Sequence, residues 1–258
     1  CARSAMPDEI RTCLLPVLSQ PEDFSGSTAV ILDILRASST ITTALHAGAA
    51  AVIPCQEIEE AQEIAGNLSE TSDSGVLLGG ERMGIMIDGF DLDNSPARYS
   101  ADVVAGKQIV FTTSNGTRAL KRAIQADRIL IGSFLNLAAV VKELSQSSGV
   151  VYLVCAGTDG AVTGEDCLCA GAIAAGLQEI TSEKLTLDDA SRMVVDYYRT
   201  QISGPGGLLT AMRASQGGRN LIQRGFEEDI RLCSECDRYS VLPEFCHESG
   251  IIMLSSAG

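Results

Sequence analysis

Short, nearly continuous apolar runs alternate along this chain with segments whose apolar positions recur at helical spacing. TAVILD precedes TITTALHAGA, AAVIPC precedes IEEAQEIAGNL, and GVLLGG stands alone. KQIVFTT then precedes RALKRAIQ, RILIGS precedes NLAAVVKEL, and VVYLVCAG precedes EDCLCAGAIAAGL. Strand and helix signals that alternate in this way define an α/β domain. Strands that are apolar at nearly every position must be covered on both faces. The pattern therefore predicts a three-layer αβα sandwich around a mixed, mostly parallel sheet. The helical spacing agrees: Ile58, Ala61, Ile64, Ala65 and Leu68 form one stripe.

Beyond residue 180 the alternation weakens. Thr186 followed by Asp189 reads as a capping start, with Leu187, Ala190, Met193, Val194, Tyr197 and Tyr198 on the helical face that follows. SGPGGLLTAMRASQGGRN, rich in glycine and serine, is expected to include a mobile loop; GFEEDIRLCSEC resumes helical character, and IIML is a candidate last strand. No linker, repeat or low-complexity tract divides the chain, so one domain over residues 1–258 is expected.

In open α/β sheets ligands bind beyond the carboxyl ends of the strands, and four such ends carry chemistry here. Asp33, Arg36, Ser38, Ser39 and Thr40 follow the first run, and Glu81 and Arg82 follow GVLLGG. Thr112 to Arg118 follow QIVF, and Cys155 to Gly160 end VVYLV, with Glu165 and Asp166 opening the next helix. The segment IVFTTSNGTRAL offers hydroxyls, an amide and free backbone N–H groups just before a helix start, which suits an anion. It equally suits an ordinary strand-to-helix turn. Hard oxygen ligands such as Asp33, Glu81 and Asp166 could hold Mg²⁺, while Arg36, Arg82 and Arg118 take up the remaining negative charge. Helix capping is the competing account of Glu165 and Asp166. A divalent metal among arginines is the equipment of phosphoryl transfer.

Charge and composition narrow the choice. With 33 acidic against 19 basic residues the chain carries a formal charge of −14, which opposes general binding to nucleic acid or to an anionic membrane. Nine cysteines, an odd number in a chain that needs no staples, fit reduced thiols in the cytoplasm. Cys233, Cys236, Cys246 and His247 match no common closed zinc spacing. There is no run of about 20 apolar residues and no signal-peptide core at the start. Neither a P-loop nor a G-x-G-x-x-G fingerprint occurs. Position 161 is alanine where a Cys155 nucleophile would need its arginine, so Cys155 reads as a buried small residue. DLDNS at 91–95 reads as a loop, and His46 and His247 lack Ser or Cys partners.

With these residues laid out, the chain resembles the 2-phosphosulfolactate phosphatase (ComB-like) family. The resemblance is carried by ILDILRASSTITTAL, GGERMG, GFDLDNSP, IVFTTSNGTRAL, IGSFLN, VCAGTDG with EDCLCAGAI, and RGFEEDI, in that order from about residue 29 to about residue 230. It implies a family α/β fold and an Mg²⁺-dependent phosphatase that converts 2-phospho-3-sulfolactate to 3-sulfolactate and phosphate in coenzyme M biosynthesis, or acts on a related 2-hydroxy acid phosphate. It also implies catalytic roles for Asp33, Arg36, Glu81 and Arg82. Metal ligation would fall to Asp33, Glu81, Glu165 and Asp166. Substrate contacts would come from Ser39, Thr113, Ser114, Asn115, Gly116, Thr117, Arg118, Ser133, Asn136 and Gly157. The chain departs from the family at Ser215, Gln216 and Gly217, where a glycine–histidine loop is common, and at Ser114, often threonine. The expected partner is a small anionic phosphate or sulfonate; a homo-oligomer stays open. The competing reading is a non-catalytic binder of small anionic metabolites, whose ligand the clustered acids would repel.

Overall fold

The computed structural model describes residues 6–71, 75–181 and 185–255. Its strands are β1 (Pro7–Cys13), β2 (Thr28–Leu32), β3 (Ala51–Cys55), β4 (Val76–Arg82), β5 (Ile85–Met86), β6 (Gln108–Thr112), β7 (Arg128–Ile131), β8 (Gly149–Cys155), β9 (Thr186–Leu187), β10 (Pro243–Cys246) and β11 (Ile251–Leu254). The helices are α1 (Ala37–His46), α2 (Ile58–Thr71), α3 (Ala101–Val104), α4 (Gly116–Arg122), α5 (Leu137–Leu144), α6 (Gly164–Thr181), α7 (Asp189–Ser203), α8 (Gly207–Ala214), α9 (Gln216–Gln223) and α10 (Glu227–Cys233).

Among the described residues one eleven-stranded sheet runs β5-β4-β6-β3-β11-β10-β7-β2-β8-β1-β9. The apolar runs explain why it is covered twice. In β2, Val30 and Leu32 face one core while Ala29 and Ile31 face the other, and β8 divides in the same way between Val151, Leu153 and Cys155 and their neighbours Tyr152 and Val154. Helices α5 to α10 contribute to the first core, and α1 and α4 to the second. This is the three-layer α/β arrangement predicted from the runs.

Two parallel blocks, β4-β6-β3 and β7-β2-β8-β1-β9, are joined by the antiparallel hairpin β10-β11. Three antiparallel pairings lie between the blocks, so β2 and β6 run in formally opposed directions. Sheets twist by about 20–25° per strand, and the five steps from β2 to β6 accumulate on the order of 100°. The carboxyl ends of both blocks serve one cavity, lined by Asp33 after β2 and by Ser114 after β6.

Two expectations need correction. SGPGGLLTAMRASQGGRN is mostly helix: after a short turn at 204–206 it contains α8 and all but the end of α9, with Met212, Gly217 and Gly218 buried. Ser215 caps α9 by accepting a hydrogen bond from Gly218 N–H, and this short-range capping outweighs the glycine content. The cap of α7 is Asp188, which accepts from Ser191 N–H, while Thr186 belongs to β9. The strand β1 lies in a segment read only for its lack of a signal core; it pairs in parallel with β8.

Candidate active site

The loop that leaves β2 sets the first carboxylate. Asp33 N–H donates to Ser38 Oγ at 2.9 Å and Asp33 C=O accepts from Ser38 N–H at 2.8 Å, which pins Asp33 to the first turn of α1. Its carboxylate accepts from the backbone N–H groups of Ala37 and Gly116, yet burial and the nearby charges of Glu81 and Glu165 push its pKa up to about 7. Only glycine fits at 116: a Cβ there would stand 2.9 Å from Asp33 Oδ2 and 3.1 Å from the Ala37 side chain.

Glu81 arrives on the last turns of β4. Its Oε2 accepts from Gly84 N–H at 2.5 Å, and its Oε1 accepts from Ser114 N–H at 3.0 Å and Ser114 Oγ at 3.1 Å. Ser114 thus braces a carboxylate. Glu165, on the first turn of α6, is 2% exposed and accepts from Gly217 N–H at 3.4 Å, with burial raising its pKa against hydrogen bonds from Ser215 and Thr163. A Cβ on Gly217 would collide with the Glu165 carboxylate.

Asp166 occupies a different position. Its Oδ1 accepts from Ile34 N–H at 2.9 Å, and its Oδ2 accepts from Gly157 N–H at 2.9 Å and Thr163 Oγ1 at 3.1 Å. Both oxygens are engaged in stitching the β2 loop to the β8 loop, so Asp166 and Gly157 act as a brace behind the site. Burial, with Glu165 and Asp33 nearby, raises the Asp166 pKa.

A cavity of about 340 Å³ brings Asp33 and Glu81 together. Asp33, Leu35 and Arg36 line it from the β2 loop, Glu81, Met83 and Gly84 from the β4–β5 turn, and Ser114 and Asn115 from the β6–α4 turn. Asn94, Thr158, Asp159, Gly217, Asn220, Leu221 and Arg224 complete the lining. Arg36 is 3% exposed; its Nη1 meets Asp229 Oδ2 at 2.6 Å, and its guanidinium lies 4.4 Å from the Phe226 ring centre. Its charge is therefore matched before any ligand arrives.

Other residues expected at the site lie elsewhere. Arg82 turns away, donating to Gln56 C=O at 2.5 Å and Thr112 Oγ1 at 2.9 Å. Arg118 is exposed on α4 and does not line the cavity. Thr113, Gly116 and Thr117 are buried behind the lining. Ser39 donates to Ile34 C=O, and Ser133 and Asn136 form a buried capping pair whose amide donates to Ile131 and Val241 carbonyls at 3.2 Å. Conversely, Asn94, Asn220 and Arg224 line the cavity with no strand-end signal to mark them, although Asn94 stands in GFDLDNSP and Arg224 opens RGFEEDI. Cys155 is fully buried, with a thiol pushed up by its hydrogen bond with Cys167 and by burial, and His46 stacks on Tyr239 at 4.0 Å, away from the lining.

The donor set suits a small hard cation. Asp33, Glu81 and Asp159 are lining carboxylates, Glu165 lies just behind the lining against Gly217, and no thiol or imidazole lines the cavity. Asn94 Oδ1 is buried without a hydrogen-bond partner, an acceptor open to a cation or a ligand hydroxyl. Among the described residues no three His, Cys, Asp or Glu side chains converge as a ready-made ligand set. Mg²⁺ does not need one, because it takes one or two carboxylates and keeps water or substrate phosphate oxygens as its other ligands.

Comparison with known proteins places the chain in a family. Residues 13–248 match the family model described as 2-phosphosulpholactate phosphatase. A Caldanaerobacter subterraneus subsp. tengcongensis protein is 39% identical over 90% of this chain and 92% of its own length. One from Symbiobacterium thermophilum is 38% identical over 90% and 97%, and one from Thermotoga petrophila 40% identical over 84% and 88%. Each is named a probable 2-phosphosulfolactate phosphatase. No helix among the described residues is long and apolar enough to cross a membrane. With a match that takes in every lining residue of the cavity, the chain belongs to the 2-phosphosulpholactate phosphatase family.

Proposed function

We propose that this protein is a phosphoric monoester hydrolase that releases phosphate from 2-phospho-3-sulfolactate, or from a related phosphorylated 2-hydroxy acid, with Mg²⁺ as cofactor. The observation that carries the reading is the approach of the buried carboxylates Asp33 and Glu81 at one cavity, with Glu165 behind them at Gly217 and the deep arginine already paired. Such a cavity is negative on its own and would repel a phosphate ester unless a cation bound first. Asp33 and Glu81, with Glu165 behind them, would hold the metal, which when bound supplies charge neutralisation of the phosphate oxygens.

The chain's own residues do the positioning. Ser114 and Gly84 fix both oxygens of Glu81, while the Ala37 and Gly116 N–H groups fix Asp33 at the reacting centre. Asp33 either attacks phosphorus or orients the water that does. Quenching turnover with borohydride separates the two: reduction of Asp33 to homoserine means an aspartyl phosphate formed by attack of Asp33, and an unmodified Asp33 means attack by water.

Phosphate release from 2-phospholactate-type esters is expected with Mg²⁺ and not with chelator. No Mg²⁺-dependent release across a panel of such esters would reject the reading in favour of a non-catalytic anion binder. Arg118→Ala, at an exposed position outside the cavity lining, is expected to change KM by less than about twofold, the scale of a surface substitution. A tenfold rise in KM would place Arg118 in contact with the substrate.

A further inference from the structure

We propose that Arg224, with Asn220 beside it, binds an acidic group of the substrate other than its phosphate, and so selects esters that carry a second oxyanion. The inference rests on the proposed hydrolase reading and extends it to specificity. Two arginines line the cavity among the described residues, Arg36 and Arg224. Arg36 is committed to Asp229 at 2.6 Å. Arg224, at the end of α9, is exposed and makes a long 3.4 Å hydrogen bond to the Asn220 carbonyl of its own helix.

The turn at Gly84 ties this arginine to the carboxylates. Gly84 N–H donates to Glu81, its carbonyl accepts from Arg36 Nη2 at 3.4 Å, and a Cβ on Gly84 would stand 3.1 Å from Arg224 Cδ and 3.2 Å from its Nε. With φ at +77° the position favours glycine, and the bare backbone lets the Arg224 stem lie flat across the turn that orients Glu81. A small ligand held at Glu81 is then within the same cavity as the guanidinium. Because the acidic end of the cavity takes the phosphate through a cation, a sulfonate or carboxylate on the same molecule must find its counter-charge elsewhere. The lining offers Arg224, whose planar fork suits either oxyanion.

The test compares wild type, Arg224→Ala and Arg224→Lys on three esters: 2-phospho-3-sulfolactate, 2-phospholactate and phenyl phosphate. Arg224→Ala is expected to lower kcat/KM for the acid-bearing esters relative to phenyl phosphate by about ten- to a hundredfold, the scale of a lost hydrogen bond to a charged group. The loss should fall mainly in KM, with partial recovery in Arg224→Lys. A loss with both acids assigns Arg224 to the carboxylate, and a loss confined to the sulfonate ester assigns it to the sulfonate. An equal change on all three esters, or none, overturns the proposal. Calorimetric titration of 3-sulfolactate into wild type and Arg224→Ala in the presence of Mg²⁺ decides the question without turnover. A tenfold weaker affinity in the variant supports it, and unchanged affinity rejects it even where hydrolysis is strong. Absence of hydrolysis by wild type rejects the hydrolase reading instead.

Discussion

Replacing Asp33 with asparagine is expected to reduce phosphate release by on the order of 10³-fold or more, the size of effect seen when one member of a catalytic unit is removed, while leaving the protein folded. Asparagine keeps the side-chain shape, and its carbonyl oxygen can still accept from the Ala37 and Gly116 N–H groups that hold Asp33. What it loses is the charge, and that loss has a second measurable consequence. The ordinary Asp33 value of 3.8 is raised to about 7 by burial and by Glu81 and Glu165. Between these two values the folded protein binds a proton that the unfolded chain has released, so stability falls as pH rises through that window. Each unit of such a shift corresponds to about 1.4 kcal/mol. Without metal, the midpoint of thermal unfolding should therefore drop from pH 5 to pH 8 in wild type, and drop less in Asp33→Asn. Added Mg²⁺ should recover stability at pH 8 in wild type more than in the variant. Wild-type turnover in Asp33→Asn would remove Asp33 from the reaction, and an unfolded variant would instead make it a structural residue.

The strand-end carboxylates were legible in the sequence because they depend on local order. An apolar strand buried on both faces ends abruptly, and the polar residue that follows must stand at the sheet edge; Asp33 and Glu81 meet at one cavity for that reason. Arginine roles were not legible, because a long side chain can turn either way from its backbone position. Arg82 follows Glu81 in sequence but points to Gln56 and Thr112, since alternate residues of a strand face opposite sides. Arg118 is exposed on the third residue of α4, while the buried Thr117 and Ala119 on either side face the core. Arg224 reaches the cavity only through the packing of α9, a helix that the glycine-rich sequence concealed. Of the residues that the resemblance marks for substrate contact, Ser39, Ser133 and Asn136 satisfy buried backbone groups away from the cavity, and Ser114 lines the cavity while also holding Glu81; bracing is the more common duty of a small polar side chain in a buried turn.

Asp229→Ala is expected to destabilise the fold by about 3–5 kcal/mol, the cost of leaving one member of a buried ion pair without its partner. Asp229 is 4% exposed and Arg36 3% exposed. One carboxylate oxygen meets Arg36 Nη1 at 2.6 Å, and the other accepts from Ser95 Oγ at 2.6 Å. This joins α10 both to the β2 loop that carries Asp33 and to the GFDLDNSP loop that carries Asn94. Removing the carboxylate leaves the Arg36 guanidinium buried between the Phe226 ring and the Gly84 carbonyl with no anion matched to it. The freed cation then lines the same cavity as Asp33 and Glu81 and would compete for the charge that a metal takes. Asp229→Ala should therefore weaken Mg²⁺ binding as well as lower the midpoint of denaturant unfolding. Arg36→Met together with Asp229→Ala removes both charges, and its cost should fall below the sum of the single substitutions. Additive costs would mean that the two groups do not stabilise one another, and unchanged Mg²⁺ affinity in Asp229→Ala would show that Arg36 stays clear of the metal even when unpaired.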